Sequence, residues 1–226
     1  MRDEVFVINR LHSLFHRPEK GWDPIPPEYA SVYAKAAYER WDERVLDRLE
    51  QLTGGLAGKE VLDLAAGPGQ CSISFALRGA SVTWYDVSAR YRRIASQAAE
   101  QRGAKLEYVM GYMDEAEAVL RRTYDIVFNR VSWYYGMSDA GMAKTIYRLL
   151  KPGGVGYVET GNAEGRSWSL SRRMLQALNK YCSIKIGHPY PPHGRIADLF
   201  SGFNVRKMMV DYSDPRTDIV MFVKDA

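Results

Sequence analysis

Hydrophobic residues follow two different spacings along the chain, and the change falls near residue 59. Before it, one apolar stripe from Val5 to Phe15 and another from Glu28 to Leu52 recur at helical spacing and predict two helices. The prolines between the stripes predict a loop from Arg17 to Pro27. After residue 59, short apolar runs alternate with helical patterns, which predicts a different architecture for the rest of the chain.

The alternating segment is typical of βαβ units and predicts an α/β fold. We expect a doubly wound sheet, mostly parallel and covered by helices on both faces. The short link Ser213–Arg216 predicts an antiparallel hairpin at the C-terminal end. The predicted strands are Glu60–Leu64, Ser81–Tyr85, Lys105–Met110, Tyr124–Asn129, Val155–Glu159, Phe203–Tyr212 and Asp218–Val223. The predicted helices after residue 59 are Gln70–Arg78, Ala89–Gln101, Glu115–Arg121, Asp139–Leu150 and Trp168–Cys182.

The composition is that of an ordinary globular chain, with 226 residues, 46% hydrophobic and 26% charged. This length suits one well-filled domain with an appendage. No apolar run approaches the ~18 residues of a membrane span, and no signal-peptide core follows the charged start Met1–Glu4. Cys71 and Cys182 form no metal-ligand spacing, so we predict no metal and a reduced, cytoplasmic setting. The net charge of +4 is spread out, unlike the basic block of a nucleic-acid-binding tail.

A loop of small residues, Ala65–Gly69, follows the first predicted strand and leads into a helix. This layout lets a ligand lie against bare backbone at the carboxyl edge of a parallel sheet. Asp86 ends the next strand, 23 residues after Asp63, where an acid can bind both hydroxyls of a ribose. Its alternative role is that of a helix N-cap before Val87-Ser88. Together, the loop and the acid predict a nucleoside cofactor.

The loop departs from the dinucleotide fingerprint, because Gly67 and Gly69 are not followed by the third glycine of G-x-G-x-x-G. Asp63, just before the loop, would also repel a pyrophosphate and attract a cationic ligand. S-adenosylmethionine carries an ammonium and a sulfonium, and its only anionic group is a carboxylate. The residues therefore favour S-adenosylmethionine over a dinucleotide.

At this point the chain resembles the class I S-adenosylmethionine-dependent methyltransferases, from about Leu56 to the C-terminus. The run Val61–Gly69 is similar to the family's first motif, with Ala65 where many members have a glycine, and Lys151–Gly154 is similar to the turn before their fifth strand. The resemblance implies a Rossmann-like fold, S-adenosyl-L-methionine as cofactor and S-adenosyl-L-homocysteine as product. It implies that Asp63 organises the amino group of the methionine part and that Asp86 binds the ribose. Further implied cofactor contacts are Ala65, Gly67 and Gly69 behind the methionine part and Val87 beside the adenine.

Two later motifs extend the resemblance. Gly111–Asp114 is similar to the family's adenine site, which implies that Asp114 accepts the exocyclic amine and that the backbone of Met113 meets the ring. The alternative for Asp114 is a helix N-cap, with Glu115 and Glu117 in the first turn. Tyr124–Arg130 is similar to the fourth-strand motif and implies that Asn129 and Arg130 lie under the methionine chain.

The resemblance divides the chain into an N-terminal helical segment, residues 1–55, and a methyltransferase domain, residues 56–226, with an acceptor-site insertion at about 161–200. We interpret the first segment as a lid or substrate cap, in which Trp22, Tyr29 and Tyr33 close over the cleft. The alternative is that these aromatic residues only pin the helices to the sheet.

Methyl transfer to a hydroxyl requires a group that accepts the hydroxyl proton at a pKa near the working pH. The catalytic candidates are His188, His193 and Tyr134, with His12 and His16 as further possible bases. The alternative for His188 and His193 is a surface or packing role. His12 and His16 share a helix face, but the sequence displays no further ligands for a metal.

The acceptor is expected to be a small molecule, methylated on oxygen or nitrogen. Arg166, Arg172 and Arg173 could recognise an anionic acceptor, and the alternative is a solvated helix face. Asn129–Ser132 is not the Asn/Asp-Pro-Pro-Tyr/Phe motif of base methylation, and no Pro-Cys nucleophile is present, so nucleic acid is a disfavoured partner. A tRNA or rRNA methyltransferase and a non-catalytic cofactor-binding protein remain alternatives. The sequence leaves the oligomeric state open.

Overall fold

The computed structural model describes residues 9–164 and 169–226. Within them, seven strands form one sheet in the order β3-β2-β1-β4-β5-β7-β6. Neighbouring strands from β1 to β5 pair in parallel, and β7 runs antiparallel to both β5 and β6. This confirms the predicted doubly wound, mostly parallel sheet with an antiparallel hairpin. The strands are β1 Glu60–Leu64, β2 Ser81–Asp86, β3 Leu106–Met110, β4 Tyr124–Arg130, β5 Leu150–Gly161, β6 Val205–Asp211 and β7 Thr217–Lys224.

Helices cover both faces of the sheet because successive strand side chains alternate between the faces. Leu62 and Leu64 pack into one hydrophobic cluster with Phe200, whereas Val61 packs into another with Leu46. The α-helices of the described residues are α1 Asn9–Phe15, α2 Pro27–Glu39, α3 Arg44–Thr53, α4 Gln70–Leu77, α5 Ala89–Gln101, α6 Ala116–Leu120, α7 Asp139–Leu149, α8 Leu170–Cys182 and α9 Arg195–Ser201.

The predicted helix from Glu28 to Leu52 is wrong as a single element, because the chain breaks between α2 and α3. Asp42 accepts the backbone N–H of Arg44 at 3.0 Å, a local bond that competes with helix continuation. The indole of Trp41 donates to Ser74 Oγ at 2.9 Å and anchors the break on α4. The break allows α3 to pack against the sheet, where Leu46 and Leu49 are fully buried.

Other differences from the prediction are local. The strand predicted at Val155–Glu159 is longer at both ends, and α9 was not predicted. The loop predicted from Arg17 to Pro27 contains a 3-10 turn at Pro18–Lys20, and Pro27 already belongs to α2 at a position where helices tolerate proline. The predicted apolar stripe lies outside the described residues at Val5–Ile8, and so does the predicted helix start at Trp168.

No helix within residues 9–164 and 169–226 has the length and apolar character needed to cross a membrane.

Candidate cofactor and acceptor site

The direction in which successive strands are added reverses between β1 and β4. The strands β2 and β3 follow on the outer side of β1, and β5 follows on the outer side of β4. In open α/β sheets, ligands bind in the crevice at such a switch point, outside the carboxyl ends of the strands. Asp63 and Asn129 lie near these ends on β1 and β4. The sequence-predicted cofactor residues thus converge on the position that the topology itself favours.

The small residues of the loop after β1 have distinct roles. Gly67 has a φ of +54°, and a Cβ added to it would meet nothing within 4 Å, so its side faces open space. Gly69 has a φ of +88°, and a Cβ there would lie 2.6 Å from the Cβ of Ala95 on α5. Gly67 therefore leaves room for a ligand, whereas Gly69 permits close packing of the loop on α5.

Ala65 adopts a left-handed conformation, with a φ of 61°. This region disfavours residues with a Cβ, by about 1–2 kcal/mol. The backbone N–H groups of Ala65 and Ala66 both donate to Tyr85 O, at 2.8 and 3.1 Å, and hold the loop in place. The conformation explains why a glycine is common at this position in the similar motif.

Asp86 is fixed by two backbone donors, one from the loop after β1 and one from the loop after β2. Its Oδ2 accepts the N–H of Gly67 at 2.9 Å, and its Oδ1 accepts the N–H of Ser88 at 2.8 Å. Burial raises the pKa of Asp86 to about 6, against the lowering effect of these bonds. The N-cap of α5 is Ser88, whose hydroxyl accepts from Tyr91 N, so the alternative N-cap role of Asp86 is not what the structure shows.

Asp63 is buried at the end of β1, and its Oδ2 accepts a hydrogen bond from Ser72 Oγ at 2.5 Å. The pKa of Asp63 is raised to about 7, mainly by burial and to a lesser degree by the neighbouring Asp86, while the hydrogen bond from Ser72 opposes both effects. Two carboxyl groups in mutual electrostatic range favour a cationic ligand beside them.

Met113 and Asp114 lie in a 3-10 turn after β3. Both carboxyl oxygens of Asp114 accept the N–H of Met137, at 2.9 and 3.0 Å. Burial raises the pKa of Asp114 to about 6. The N-cap position of α6 is Glu115, so the N-cap alternative for Asp114 is not observed. Asp114 instead ties the turn after β3 to the loop after β4.

The end of β4 places Asn129 and Arg130 differently. Asn129 Nδ2 donates to Leu64 O at 2.9 Å, which fixes the amide orientation because a carbonyl only accepts. Arg130 Nε donates to Glu159 Oε2 on β5 at 2.8 Å, and its guanidinium lies 5.5 Å from the centre of the Trp41 ring. Arg130 is thus engaged with β5 and the N-terminal segment, whereas Asn129 supports the end of β1.

Two buried acceptors at the cleft lack partners. Among the described residues, Asn129 Oδ1 and Gln70 Oε1 have no hydrogen-bond partner, and buried polar atoms without partners are uncommon. Gln70 directly follows the glycine loop. These acceptors, the open side of Gly67 and the buried carboxyls fit a ligand with an ammonium and a ribose diol, as S-adenosylmethionine has.

Four tyrosines, Tyr33, Tyr134, Tyr135 and Tyr190, lie close together beside the turn after β4 and are called the tyrosine wall here. Tyr134 and Tyr135 lie in a 3-10 turn after β4, and Tyr134 packs against Tyr190 with ring centres 4.8 Å apart. Burial raises the pKa of Tyr33 on α2, and the nearby phenols of Tyr29 and Tyr135 raise it as well, so these side chains share one region. Burial raises the pKa of Tyr134 far above neutral, which keeps it protonated and makes it a poor proton acceptor.

The two candidate histidines of the loop after α8 occupy different environments. His188 lies against Tyr135, with ring centres 4.8 Å apart. His193 Nδ1 lies 2.8 Å from Oδ1 of the fully buried Asp218 at the start of β7, and its ring packs against Tyr212. His188 therefore contacts the tyrosine wall, whereas His193 is held at the start of β7 by Asp218.

The N-terminal segment docks on the turn after β3 through Tyr112. The hydroxyl of Tyr112 donates to His16 O at 2.5 Å, and Trp22 stacks on its ring at 6.1 Å. Arg17 forms a bidentate pair with Glu115 at 2.7 and 2.9 Å. The rings of His12 and His16 stack at 3.9 Å and both contact Trp22. These histidines pack the segment in place beside the turn after β3.

The same segment also docks at the N-terminus of α5. Asp23 accepts hydrogen bonds from Ser88 Oγ and from Arg90 N, both at 2.9 Å, at the N-terminus of α5. The segment therefore bridges the loops that follow β2 and β3. Tyr29 and Tyr33 stack on each other, and Tyr33 also contacts Tyr91 of α5.

Several site-supporting side chains carried no sequence signal, since their partners are distant along the chain. Asp23, Glu159, Asp218 and the pair Asp139–Lys185 belong to this set. Among the arginines considered for an anionic acceptor, Arg173 is exposed, whereas Arg166 and the side chain of Arg172 lie outside the described residues. Within the described residues, no group of three or more His, Cys, Asp or Glu side chains is arranged to hold a metal.

The fold defines an α/β protein with a crevice at the switch point of its sheet and the topology of class I methyltransferases. Comparison with known proteins agrees, because residues 61–154 match the family model described as a methyltransferase domain. A Ubiquinone biosynthesis O-methyltransferase of Klebsiella pneumoniae (strain 342) is 31% identical over 126 residues, 56% of this chain and 52% of that protein. The chain thus matches about half the length of such curated relatives.

Solved structures share the fold at low identity. An O-methyltransferase family protein from Burkholderia thailandensis has a TM-score of 0.63 and 16% identity, covering 88% of this chain and 60% of that one. The cyclase SpnF has a TM-score of 0.60 and 17% identity over 81% of each chain. The resemblance to the class I S-adenosylmethionine-dependent methyltransferases is confirmed. Since one neighbour is named a cyclase, the fold alone does not establish methyl transfer.

Proposed function

We propose that this protein transfers a methyl group from S-adenosylmethionine to a hydroxyl oxygen of a small molecule. The observation that carries the proposal is the unit formed by Gly67 and Asp86. Gly67 leaves its side open and uses its N–H to hold a buried carboxylate at the switch point of the sheet. This unit suits a ribose diol beside a closely approached backbone.

The donor side would hold the cofactor through four groups. Asp86 would bind the ribose hydroxyls, and Asp63 would balance the positive charge of the methionine part. The unpartnered Asn129 Oδ1 and Gln70 Oε1 supply further acceptors near the loop. When bound, S-adenosylmethionine supplies a methyl group activated by its sulfonium. We keep Asp114 as a candidate for the adenine, with the additional role of holding Met137.

On the acceptor side, His188 is the proposed general base. It lies against Tyr135 in the tyrosine wall, whereas His193 is held by Asp218. An imidazole has an ordinary pKa near neutrality and can accept a hydroxyl proton at physiological pH. Tyr134, which stays protonated, would orient the acceptor by donating a hydrogen bond. The names of the O-methyltransferase relatives support oxygen as the methylated atom.

The wall also bears on the chemistry of the acceptor. Tyr33, Tyr134, Tyr135 and Tyr190 present aromatic faces, which favour a flat, uncharged acceptor or a cationic one over an anion. The proposal therefore includes no anionic group on the acceptor. Nucleic acid remains disfavoured as a partner, because Asn129–Ser132 is not the motif of base methylation.

We further propose that residues 9–55 act as a lid on the cofactor. The segment bridges the loops after β2 and β3 through Asp23 and Arg17, so the adenosine part would leave only when these contacts open.

The free thiol of the exposed Cys182 supports a reducing, cytoplasmic setting.

Two measurements test the proposal. Calorimetry with S-adenosylhomocysteine is expected to show binding by the purified chain. Incubation with S-adenosylmethionine and a panel of phenols, amines and bulk RNA is expected to give S-adenosylhomocysteine and a methylated phenol, identified by mass. Binding without any methylated product would indicate a cofactor-binding protein or another reaction. Methylated RNA alone would overturn the small-molecule proposal.

A further inference from the structure

Lys185 follows α8 and is buried completely, which is rare for a lysine. Its ammonium donates to Trp133 O at 3.1 Å and to Asp139 Oδ1 at 3.0 Å. A buried ammonium needs such partners, since without them it loses its hydration with no compensation. The sequence shows only a lysine in a loop, so this contact is a product of the tertiary structure.

Asp139, the partner at the start of α7, is almost fully buried and accepts two further hydrogen bonds. The indole of Trp133 donates to its Oδ1 at 3.0 Å, and Asn179 of α8 donates to its Oδ2 at 2.8 Å. Asn179 Oδ1 in turn accepts the N–H of Asp139 at 3.2 Å. The carboxylate therefore accepts hydrogen bonds from one cation and two neutral donors.

This network joins the two parts of the proposed acceptor site. Trp133 begins the 3-10 turn that carries Tyr134 and Tyr135, and Lys185 lies three residues before His188. The contact between His188 and Tyr135 spans the same two segments that Lys185 and Trp133 connect. A change in the buried pair would therefore alter the position of His188 relative to the wall.

The same ammonium also lies within electrostatic range of Asp114, where it opposes the effect of burial on that carboxyl. Asp114 holds Met137, two residues before Asp139. The buried pair thus lies between the adenine-side turn and the acceptor-side wall.

We propose that Lys185 and Asp139 are positioning residues, which hold His188 against Tyr135 without touching the reacting atoms. The meaning of this position for catalysis rests on the proposed function, but the position itself is measured separately. This positioning role would explain the presence of a buried ion pair at a place where an apolar contact of similar size is often as stable or more stable.

The test uses the full chain with Lys185→Met and Asp139→Asn combined, so that no unpaired buried charge remains. The readout is the set of imidazole signals of the four histidines by NMR. The signals of His188 are expected to shift toward their positions in a Tyr135→Ala variant. The signals of His193 are expected to stay unchanged, because Asp218 holds that ring independently. The matched control removes an exposed pair, Arg48→Met with Asp211→Asn, and is expected to shift none of them.

Unshifted His188 signals in the folded double variant would overturn the proposal, and so would equal shifts of His188 and His193. Should the double variant not fold, Asp139→Asn alone is measured, and a smaller shift confined to His188 supports the proposal whereas none overturns it. Calorimetry with S-adenosylhomocysteine on the unaltered chain separates the two ideas. Absent binding there would count against the proposed function and leave the NMR result on positioning intact.

Discussion

The donor and acceptor sides of the cleft are built in different ways. The proposed donor side draws mainly on one short stretch, residues 63 to 88, in which Gly67 and Ser88 hold Asp86. Asp114 and Asn129 join it from the ends of β3 and β4. The acceptor side uses side chains from three distant segments, represented by Tyr33, Tyr135 and His188. The first therefore leaves a readable motif in the sequence, and the second does not.

The difference follows from what each side must recognise. A fixed cofactor can be met by backbone geometry, which requires glycines and acids at set spacings. A variable acceptor is met by side chains on loops, which can change without altering the fold. If this comparison is right, donor-side substitutions weaken cofactor binding, whereas acceptor-side substitutions slow turnover and leave that binding intact.

The largest effect is expected from Gly67→Val. The valine would fill the open side of the loop and adopt an unfavourable left-handed conformation, so affinity for S-adenosylhomocysteine should fall by roughly 10³-fold or more, over 4 kcal/mol. Calorimetry measures this. Gly153→Val is the matched control, since Gly153 also has a positive φ, +76°, and open surroundings. It is expected to keep wild-type affinity. Normal affinity in Gly67→Val would contradict the proposal that the cofactor lies against the open side of this loop.

On the acceptor side, His188→Ala is expected to lower kcat by about 10²-fold or more, the usual contribution of a general base. Affinity for S-adenosylhomocysteine should stay unchanged. His193→Ala is the comparison variant. It leaves the buried Asp218 without its imidazole partner, so a lower melting temperature is expected, with a smaller effect on kcat. A larger kcat loss in His193→Ala would reverse the assignment of the two histidines.

Asp86→Ala is expected to weaken binding of S-adenosylhomocysteine by about 2–3 kcal/mol, roughly 100-fold, because two hydrogen bonds to a charged group are lost. Asp125→Ala serves as the control. Asp125 also accepts a hydrogen bond from a backbone N–H, that of Glu60 at 2.8 Å. It lies at the start of β4, at the end of the strands opposite to the proposed cofactor site. Equal losses of affinity in both variants would indicate general destabilisation and not a ribose site.

The raised pKa values of the proposed donor-side carboxyls predict that both stability and cofactor binding depend on pH. The pKa values of Asp63, Asp86 and Asp114 are about 7, 6 and 6, above those of exposed carboxyls. Between about pH 4 and 7 the folded state therefore binds more protons than the unfolded state, so the stability of the unliganded protein should fall as pH rises through this range. A bound cation lowers these pKa values, so binding of S-adenosylmethionine near pH 6 should release protons.

Calorimetry in buffers of different ionisation enthalpy measures this release. Asp63→Asn should reduce it, whereas Asp211→Asn should leave it unchanged, because the pKa of Asp211 is lowered to about 2. Proton uptake on binding would contradict the assignment of these carboxyls to a cationic ligand.

The smallest effect concerns Ala65, with its φ of 61°. Ala65→Gly should raise the free energy of unfolding by up to about 1 kcal/mol, since glycine tolerates this conformation but loses more freedom on folding. Chemical denaturation measures the change, and cofactor affinity should not change. Gly153→Ala, at another left-handed position, should shift stability in the opposite direction.

Much of the fold was predictable because strand and helix periods are local properties of the chain. β1 and α5 have the predicted bounds, and the C-terminal hairpin is present. The predictions failed where tertiary contacts override the local pattern. Trp41 anchored on Ser74 splits one periodic stretch into two helices, and α9 is too short for its period to be distinctive.

The sequence by itself determined the topology and predicted which residues form the donor side, because glycines, terminal acids and alternating apolar runs act through backbone geometry and local spacing. Only the tertiary structure decided which histidine joins the tyrosine wall, and that Asp139 and Lys185 connect its two parts. These contacts join residues 45 or more positions apart by side-chain proximity. No local pattern encodes such proximity, because it depends on how the loops pack at the edge of the sheet.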